Sequence, residues 1–200
     1  MYIIASIRDL ESLSSYVNSG GSTNGLIVRQ IADIDFGFKN FNTIGSGRHP
    51  FAGTFDGNSH VISNVVIDNE GEFQGLIGCL ASLGNIRNVT LTNANVIGTN
   101  YVGGIAGFSY GIISGCIADN VKVLSTRSGY AGGVVGYSWH GIVTDCLAVG
   151  VIAAGEYKGA VAGANTGGTV GGYFYGGALG GIGYNKGIDE TANILTGSSK

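Results

Sequence analysis

The chain has 200 residues, of which 44% are hydrophobic and 12% charged, with 38 glycines, one proline and a net charge of −3. Such apolar content excludes a disordered chain, and glycines without a three-residue period exclude collagen. The mild acidity and the lack of any Lys/Arg cluster exclude nucleic acid as a partner; no apolar run nears the roughly 18 residues of a spanning helix, so no membrane insertion is expected.

Met1 to Asp9 carries neither a basic region nor a long apolar run, so no secretory signal is read there. Ser6 and Asp9 make a variant capping box, with Asp in place of the usual Glu or Gln. Leu10, Leu13 and Val17 follow at helical spacing. The pattern predicts a helix from about Ile7 to Asn18, stopped by Gly20-Gly21, as an N-terminal cap over residues 1–24 that covers the open edge of whatever follows. Gly25 to Ile34 reads as a strand, residues 36–50 as an irregular excursion, and Asp56-Gly57 as a tight turn before the apolar run His60 to Ile67.

From Phe73 to Tyr175 the chain says nearly the same thing four times. The phrases Phe73-Gln-Gly-Leu-Ile-Gly78, Tyr101-Val-Gly-Gly-Ile-Ala-Gly107, Tyr130-Ala-Gly-Gly-Val-Val-Gly136 and Tyr157-Lys-Gly-Ala-Val-Ala-Gly163 close on glycines 29, 29 and 27 residues apart. A period in this range means stacked identical units that bury a core between them. Each period divides into three apolar legs too short and too rich in Gly, Val and Ile for helices, which suggests a triangular coil of parallel strands with equivalent residues in columns. Cys116 and Cys146 should then stack, with Val89 below and Tyr173 above. The odd cysteine count without metal-ligand spacing makes Cys79, Cys116 and Cys146 buried free thiols. After Tyr175 the period dissolves, and residues 176–200 read as a C-terminal cap and tail.

The phrases ending at Gly107 and Gly136 resemble the GLUG motif. Ala32-Asp-Ile-Asp35, Thr43-Ile-Gly45 and Phe51-Ala-Gly-Thr-Phe-Asp-Gly-Asn58 look like the segment that precedes such repeats. The resemblance covers about residues 25–175. It implies a parallel β-solenoid of the kind found in bacterial adhesins, in non-catalytic regions of immunoglobulin A peptidases and in phage tail proteins, and it implies no catalytic residues. One departure stands out: the turn after the closing glycine carries Phe108-Ser-Tyr110 and Tyr137-Ser-Trp139 where Ala164-Asn-Thr-Gly-Gly168 has small polar residues.

Candidate chemistry is sparse. Gly107-Phe-Ser-Tyr-Gly111 fits the G-x-S-x-G pattern around Ser109, but a strand-like leg follows where a nucleophile elbow needs a helix. Asp33, Asp35 and Asp56 could supply the carboxylate pair of a polysaccharide-cleaving enzyme, or oxygen ligands for calcium, yet all three sit in turn phrases, where Asp bonds its own backbone. His49, His60 and His140 lack metal spacing. The aromatic pairs Tyr110/Trp139 and Phe108/Tyr137, each one period apart, are the ligand-binding candidates: exposed, they would form a flat apolar strip suited to a sugar or protein, whereas alternation could send Phe108 and Tyr137 inward as core. The Phe73, Tyr101, Tyr130, Tyr157 column reads as a structural stack.

These observations predict an all-β, right-handed parallel β-solenoid of about five coils, its hand taken from the chirality of parallel crossovers. The expected function is non-enzymatic binding or adhesion to a cell-surface glycan or protein. No cofactor or metal is expected, and the place of work is extracellular, on a cell surface or on a virion. A homo-oligomer or a place in a larger assembly is compatible. The rival readings are a polysaccharide-cleaving β-helix enzyme and a plain spacer.

Overall fold

The computed structural model describes residues 1–175 and 179–193. It is a parallel β-solenoid of about six turns with one short N-terminal helix. The helix spans Ile7–Asn18, and the Ser6 hydroxyl accepts from the Asp9 N–H at 3.4 Å. Asp9 is too short to reach the Ser6 N–H as Glu would. Its carboxylate accepts instead from the Ala5 N–H at 3.0 Å and the Ser6 hydroxyl at 2.8 Å. Leu10, Leu13 and Val17 are buried and join the core that runs through the coils. The Ser14 hydroxyl fixes the helix to the first coil by donating to the carbonyls of Asn42 and Thr43. Tyr2–Ile4 is a strand paired in parallel with Ile27–Gln30, so the N-terminal segment adds a rung as well as a lid.

Four expectations need correction. Residues 36–50 are not an excursion: Asn40 and Ile44, followed by Phe51, make parallel bridges to Val66, Ile77 and Leu80, so this segment runs as the lower part of a coil without regular strands. A coil has five short strands rather than three legs, for instance Asn85–Arg87, Thr90–Thr92, Asn95–Gly98, Tyr101–Gly103 and Ala106–Ser109. The extra corners come from left-handed residues that sequence periodicity alone does not reveal. Asn64, Asn93, Asn120 and Gly150 all have φ between 51° and 58°. Asn and Gly bear this conformation at least cost, and the N–H of each Asn bonds the coil above, as from Asn93 to the Asp119 carbonyl at 3.0 Å.

The remaining corrections lie late in the chain. Cys116 and Cys146 are buried free thiols in adjacent coils, but Gly172, not Tyr173, stands above Cys146. The upper coil has one residue fewer between Val170 and Gly172 than the lower has between Val143 and Cys146, which moves Tyr173 opposite Leu147 and out to solvent. The period also continues past Tyr175: Ile182–Asn193 pairs in parallel with Ala162–Tyr175 and supplies the sixth turn. The expected tail from 194 onward lies outside the described residues.

The glycine phrase has a steric cause. Within a coil the Tyr101–Gly103 and Ala106–Ser109 strands turn sharply on one another, so their backbones touch. A Cβ on Gly103 would lie 2.0 Å from the Ala106 oxygen and 2.6 Å from the Gly136 nitrogen. One on Gly107 would lie 2.7 Å from the Gly78 oxygen and 2.8 Å from the Tyr101 oxygen. The same collisions recur at Gly132, Gly136, Gly159 and Gly163.

Two predictions follow from this architecture. Gly136→Ala should cost roughly 3 kcal/mol, the upper end of overpacking penalties, because its Cβ would meet the Gly107 oxygen at 2.5 Å and backbone cannot step aside as a side chain can; urea unfolding of the variant measures it, and a loss below about 1 kcal/mol contradicts the close-contact account. Removing residues 1–20 strips the helix and the first strand from an open β edge and core, so the truncated chain should aggregate in light scattering. A monomeric, equally stable truncation would show that the cap is dispensable.

Candidate functional site

The sharp turn at each glycine phrase creates a concave corner on the outside of the solenoid. Val102 and Ala106 point into the core, while Tyr101 and Phe108 leave the two strands on their outer sides and meet in the corner. Stacking the coils turns each position into a column. One column is Phe73, Tyr101, Tyr130 and Tyr157, with ring centroids 5.1, 5.5 and 5.1 Å apart and planes within 20° of parallel. Its ring faces are spent on each other, so the structural-stack expectation describes it. The facing column is Cys79, Phe108, Tyr137, Ala164 and Tyr184.

Phe108 and Tyr137 are 6% and 8% exposed, yet they are not part of the solenoid interior. They form a second apolar cluster outside the coil wall with Cys79 and Ala164, flanked by the tyrosine column. Tyr110 and Trp139, two residues further along their strands, remain 47% and 42% exposed. The four are therefore contiguous, with Phe108 against Tyr110 at 4.8 Å and Tyr137 against Trp139 at 5.7 Å. They do not make the flat strip expected from sequence. Phe108 stands at 89° to Tyr101 and 73° to Tyr137, and Trp139 at 73° to Tyr137, whereas Tyr137 lies near parallel to Tyr101 and Tyr130, at 19° and 15°.

The result is an open cleft of about 330 Å³ lined by Phe73, Tyr101, Phe108, Tyr110, Tyr137 and Trp139, with Gly47 and Cys79 completing it. Cys79 makes the space: it holds the position that Phe108 and Tyr137 fill in the next two coils. Burial pushes its thiol up to about 11, so it is a neutral floor. Gly47 closes the lower side, where a Cβ would stand 2.8 Å from the Phe73 ring. Of these eight, the sequence singled out Phe108, Tyr110, Tyr137 and Trp139 as ligand-binding candidates; it read Phe73 and Tyr101 as a structural stack and did not point to Cys79 or Gly47. The signal for Cys79 was its alignment with Phe108 and Tyr137 in the repeat; for Gly47 there was none, since it precedes the periodic region.

The carboxylate candidates are structural. Asp56 is held between Arg29 at 3.2 Å and Arg87 at 3.0 Å, one coil below and one above, and accepts from the Asn58 N–H. Burial raises its pKa, but the Asn58 N–H and the two guanidinium groups outweigh burial and leave it lowered, so it is an anion and no proton donor. Asp33 accepts from the Val61 N–H and His60, and Asp35 from the Asn64 amide and the Gly37 N–H; these bonds lower both pKa values. Ser109 is fully buried, and its hydroxyl accepts from the Gly111 N–H as a turn residue does. His49 meets the Asn18 carbonyl and His140 packs on Trp139, and among the described residues no three metal-ligating side chains cluster.

Fold and site together define a parallel β-solenoid with an external aromatic cleft. No family model matches the chain. It is 34% identical over 148 residues to halomucin of Haloquadratum walsbyi, a match that takes in 68% of this chain and 2% of that protein. It is 29% identical over 129 residues to a candidate Gly-rich membrane protein of Evansella cellulosilytica, covering 61% of this chain and 14% of the relative. The chain thus spans a small fraction of the curated relatives it matches. The fold is shared with a crystal structure of a candidate immunoglobulin A1 protease from Bacteroides ovatus, at a TM-score of 0.63 and 24% identity over 96% of this chain and 64% of that one. Among the described residues no helix is long and apolar enough to cross a membrane.

The Arg29–Asp56–Arg87 ladder gives a pH prediction. A carboxylate with a lowered folded pKa contributes stability above its unfolded value of 3.8 and loses it as pH falls through the folded value. Asp56→Asn should therefore cost about 1 to 2 kcal/mol at neutral pH, reduced by the water around two half-exposed arginines, and should flatten the loss of stability below about pH 4. Urea midpoints of both proteins across pH 2.5 to 7 (roughly the range in which carboxylates titrate) test it.

Proposed function

We propose that this chain is a non-enzymatic binding module that uses the aromatic cleft to hold a cell-surface glycan. The carrying observation is that six aromatic side chains converge on one open cleft outside the core, two of which, Tyr137 and Trp139, stand where the next coil has only Ala164 and Thr166. Buried aromatic area with polar tips is what weak, selective surface recognition uses, and rings held by a rigid stack lose little entropy on binding.

Enzymatic cleavage of a polysaccharide is the lesser reading. It requires two carboxyl groups facing one substrate, and the three aspartates are separately locked into turns and an ion ladder away from the cleft. The GLUG resemblance of the glycine phrases and the likeness to small parts of much longer proteins support a repeated presentation or adhesion segment, working on an outer surface of a cell or virion.

Trp139→Ala and Tyr110→Ala should leave the thermal midpoint within a few degrees of the parent, since both side chains are nearly half exposed, yet remove attachment to target cells and signal on a glycan array. Loss of roughly 3 to 5 kcal/mol of stability instead would make Trp139 a packing residue and the cleft no site. Attachment lost on protease treatment of the cells, with no signal on the glycan array, would point instead to a surface protein.

A further inference from the structure

The inward position that Val102 and Ala131 fill with apolar side chains in two successive coils is held in the coil below by Gln74. Gln74 is only 4% exposed, and burying an amide costs free energy unless both of its ends are bonded. One end is. The Asn69 amide donates to the Phe41 carbonyl at 3.0 Å, which fixes its orientation, and also to Gln74 Oε1 at 3.3 Å. Gln74 Nε2 is thereby turned toward Gly71, where a Cβ would stand 2.1 Å from it, and it meets no acceptor among the described residues. Gly98 clears the other side, since a Cβ there would meet Gln74 Cγ at 2.6 Å.

Gly71 and Gln74 are walls of a groove of about 500 Å³ between the second half of the helix and the two coils beside it. Part of its lining is spent on the fold: the side chains of Ser14, Asn18 and Thr43 donate to the carbonyls of Asn42, Thr43 and Gly75. The rest is available. The Ser15 hydroxyl and the Asn42 side-chain amide make no hydrogen bond among the described residues, and the Glu72 carboxylate accepts through one oxygen only, from Asn100 at 3.3 Å. Glu72 is the sole charged residue of the lining. Phe73 lines both this groove and the aromatic cleft, and Ser46 of the groove adjoins Gly47 of the cleft, so the two share a wall.

We infer, on the strength of the binding role proposed for the cleft, that this groove is a second subsite, which takes an uncharged, hydroxyl-rich unit of the same glycan. The recognised glycans are then neutral chains long enough to reach across Phe73. A sugar hydroxyl both donates and accepts, so neighbouring hydroxyls match a lining that mixes the Gln74 donor, the Glu72 acceptor and two groups of both kinds. A sulfated or sialylated unit would instead meet Glu72 with no Lys or Arg in the lining to offset the repulsion.

Gln74→Val puts back the residue type of the coil above and removes the donor. Its melting temperature should equal or exceed the parent's. On an array of neutral, sialylated and sulfated glycans, each as monosaccharides and as longer chains, the parent's signal should be confined to the neutral longer chains. The protein concentration that half-saturates those chains should rise about tenfold in Gln74→Val, the effect of losing a hydrogen bond from a buried group, and by a similar factor in Asn42→Ala at the exposed rim.

Parent-like affinity in both variants, with the signal still lost in Trp139→Ala, overturns the groove and leaves the binding role of the cleft standing. A preference for acidic chains, or full affinity for monosaccharides, also overturns the groove's assignment. If Gln74→Val fails to fold, Asn42→Ala decides: unchanged affinity overturns the subsite and weakened affinity upholds it. No array signal from the parent, with attachment abolished by protease treatment of the cells, makes the target a protein and removes the glycan reading of cleft and groove together.

Discussion

The structure depends on one close contact: in each of the four glycine repeats two strands turn back so sharply that their backbones touch. No side chain fits between them, so the sequence must place glycine on both sides, as Gly103 with Gly107 and Gly132 with Gly136. Collisions of 2.0 to 2.9 Å with backbone atoms leave no room for adjustment, which is why these glycines set the repeat more strictly than any apolar residue does. The apolar positions only have to fill the inside. Val102, Ala131 and Ala106, Val135 do so with different volumes in successive coils.

The same contact decides where function can sit. Folding a coil wall inward turns the outer sides of the two strands toward each other, so that Tyr101 and Phe108 are brought to 5.0 Å although both point away from the core. Column stacking then multiplies the corner along the axis. A parallel stack with near-identical register places like on like, and aromatic rings near 5 Å apart gain from being stacked or edge-on. The external cluster is thus a by-product of the glycine turn that needs only large residues to become a surface.

Much of this was legible in the sequence, and the reasons for the remainder are physical. The helix bounds followed from Ser6, Asp9 and the Leu10, Leu13, Val17 spacing, since caps and amphipathic spacing are local properties. The glycine period gave parallel stacking. Alternation offered only two places for Phe108 and Tyr137, core or solvent, because it assumes a convex wall; the concave corner adds a third, buried but outside. The fold of residues 36–50 was illegible because that coil is held by isolated bridges, with apolar Phe41, Ile44 and the following Phe51 spaced for no regular strand. The misplacement of Tyr173 came from counting at a fixed period across a coil that had lost one residue at Gly171-Gly172.

The regular core and the irregular outer column answer to different constraints, and this separation explains how one repeat can specialise. A change of size inside the coil is felt by every neighbour, whereas Cys79, Phe108, Tyr137 and Ala164 succeed one another outside without disturbing the register of the strands that carry them. A small residue in the outer column leaves a hollow bounded by the rings of the next coil. Cys79 does this beneath Phe108, where Gly47 keeps the lower wall thin and the hollow opens to water. Ala164 is the other small residue of the column, but there the Tyr137 hydroxyl meets the Thr166 hydroxyl at 3.0 Å and Lys186 lies over Tyr184, so the molecule's own groups engage the rings. The cleft opens where Cys79 stands below Phe108, with Tyr110 and Trp139 as its most exposed walls.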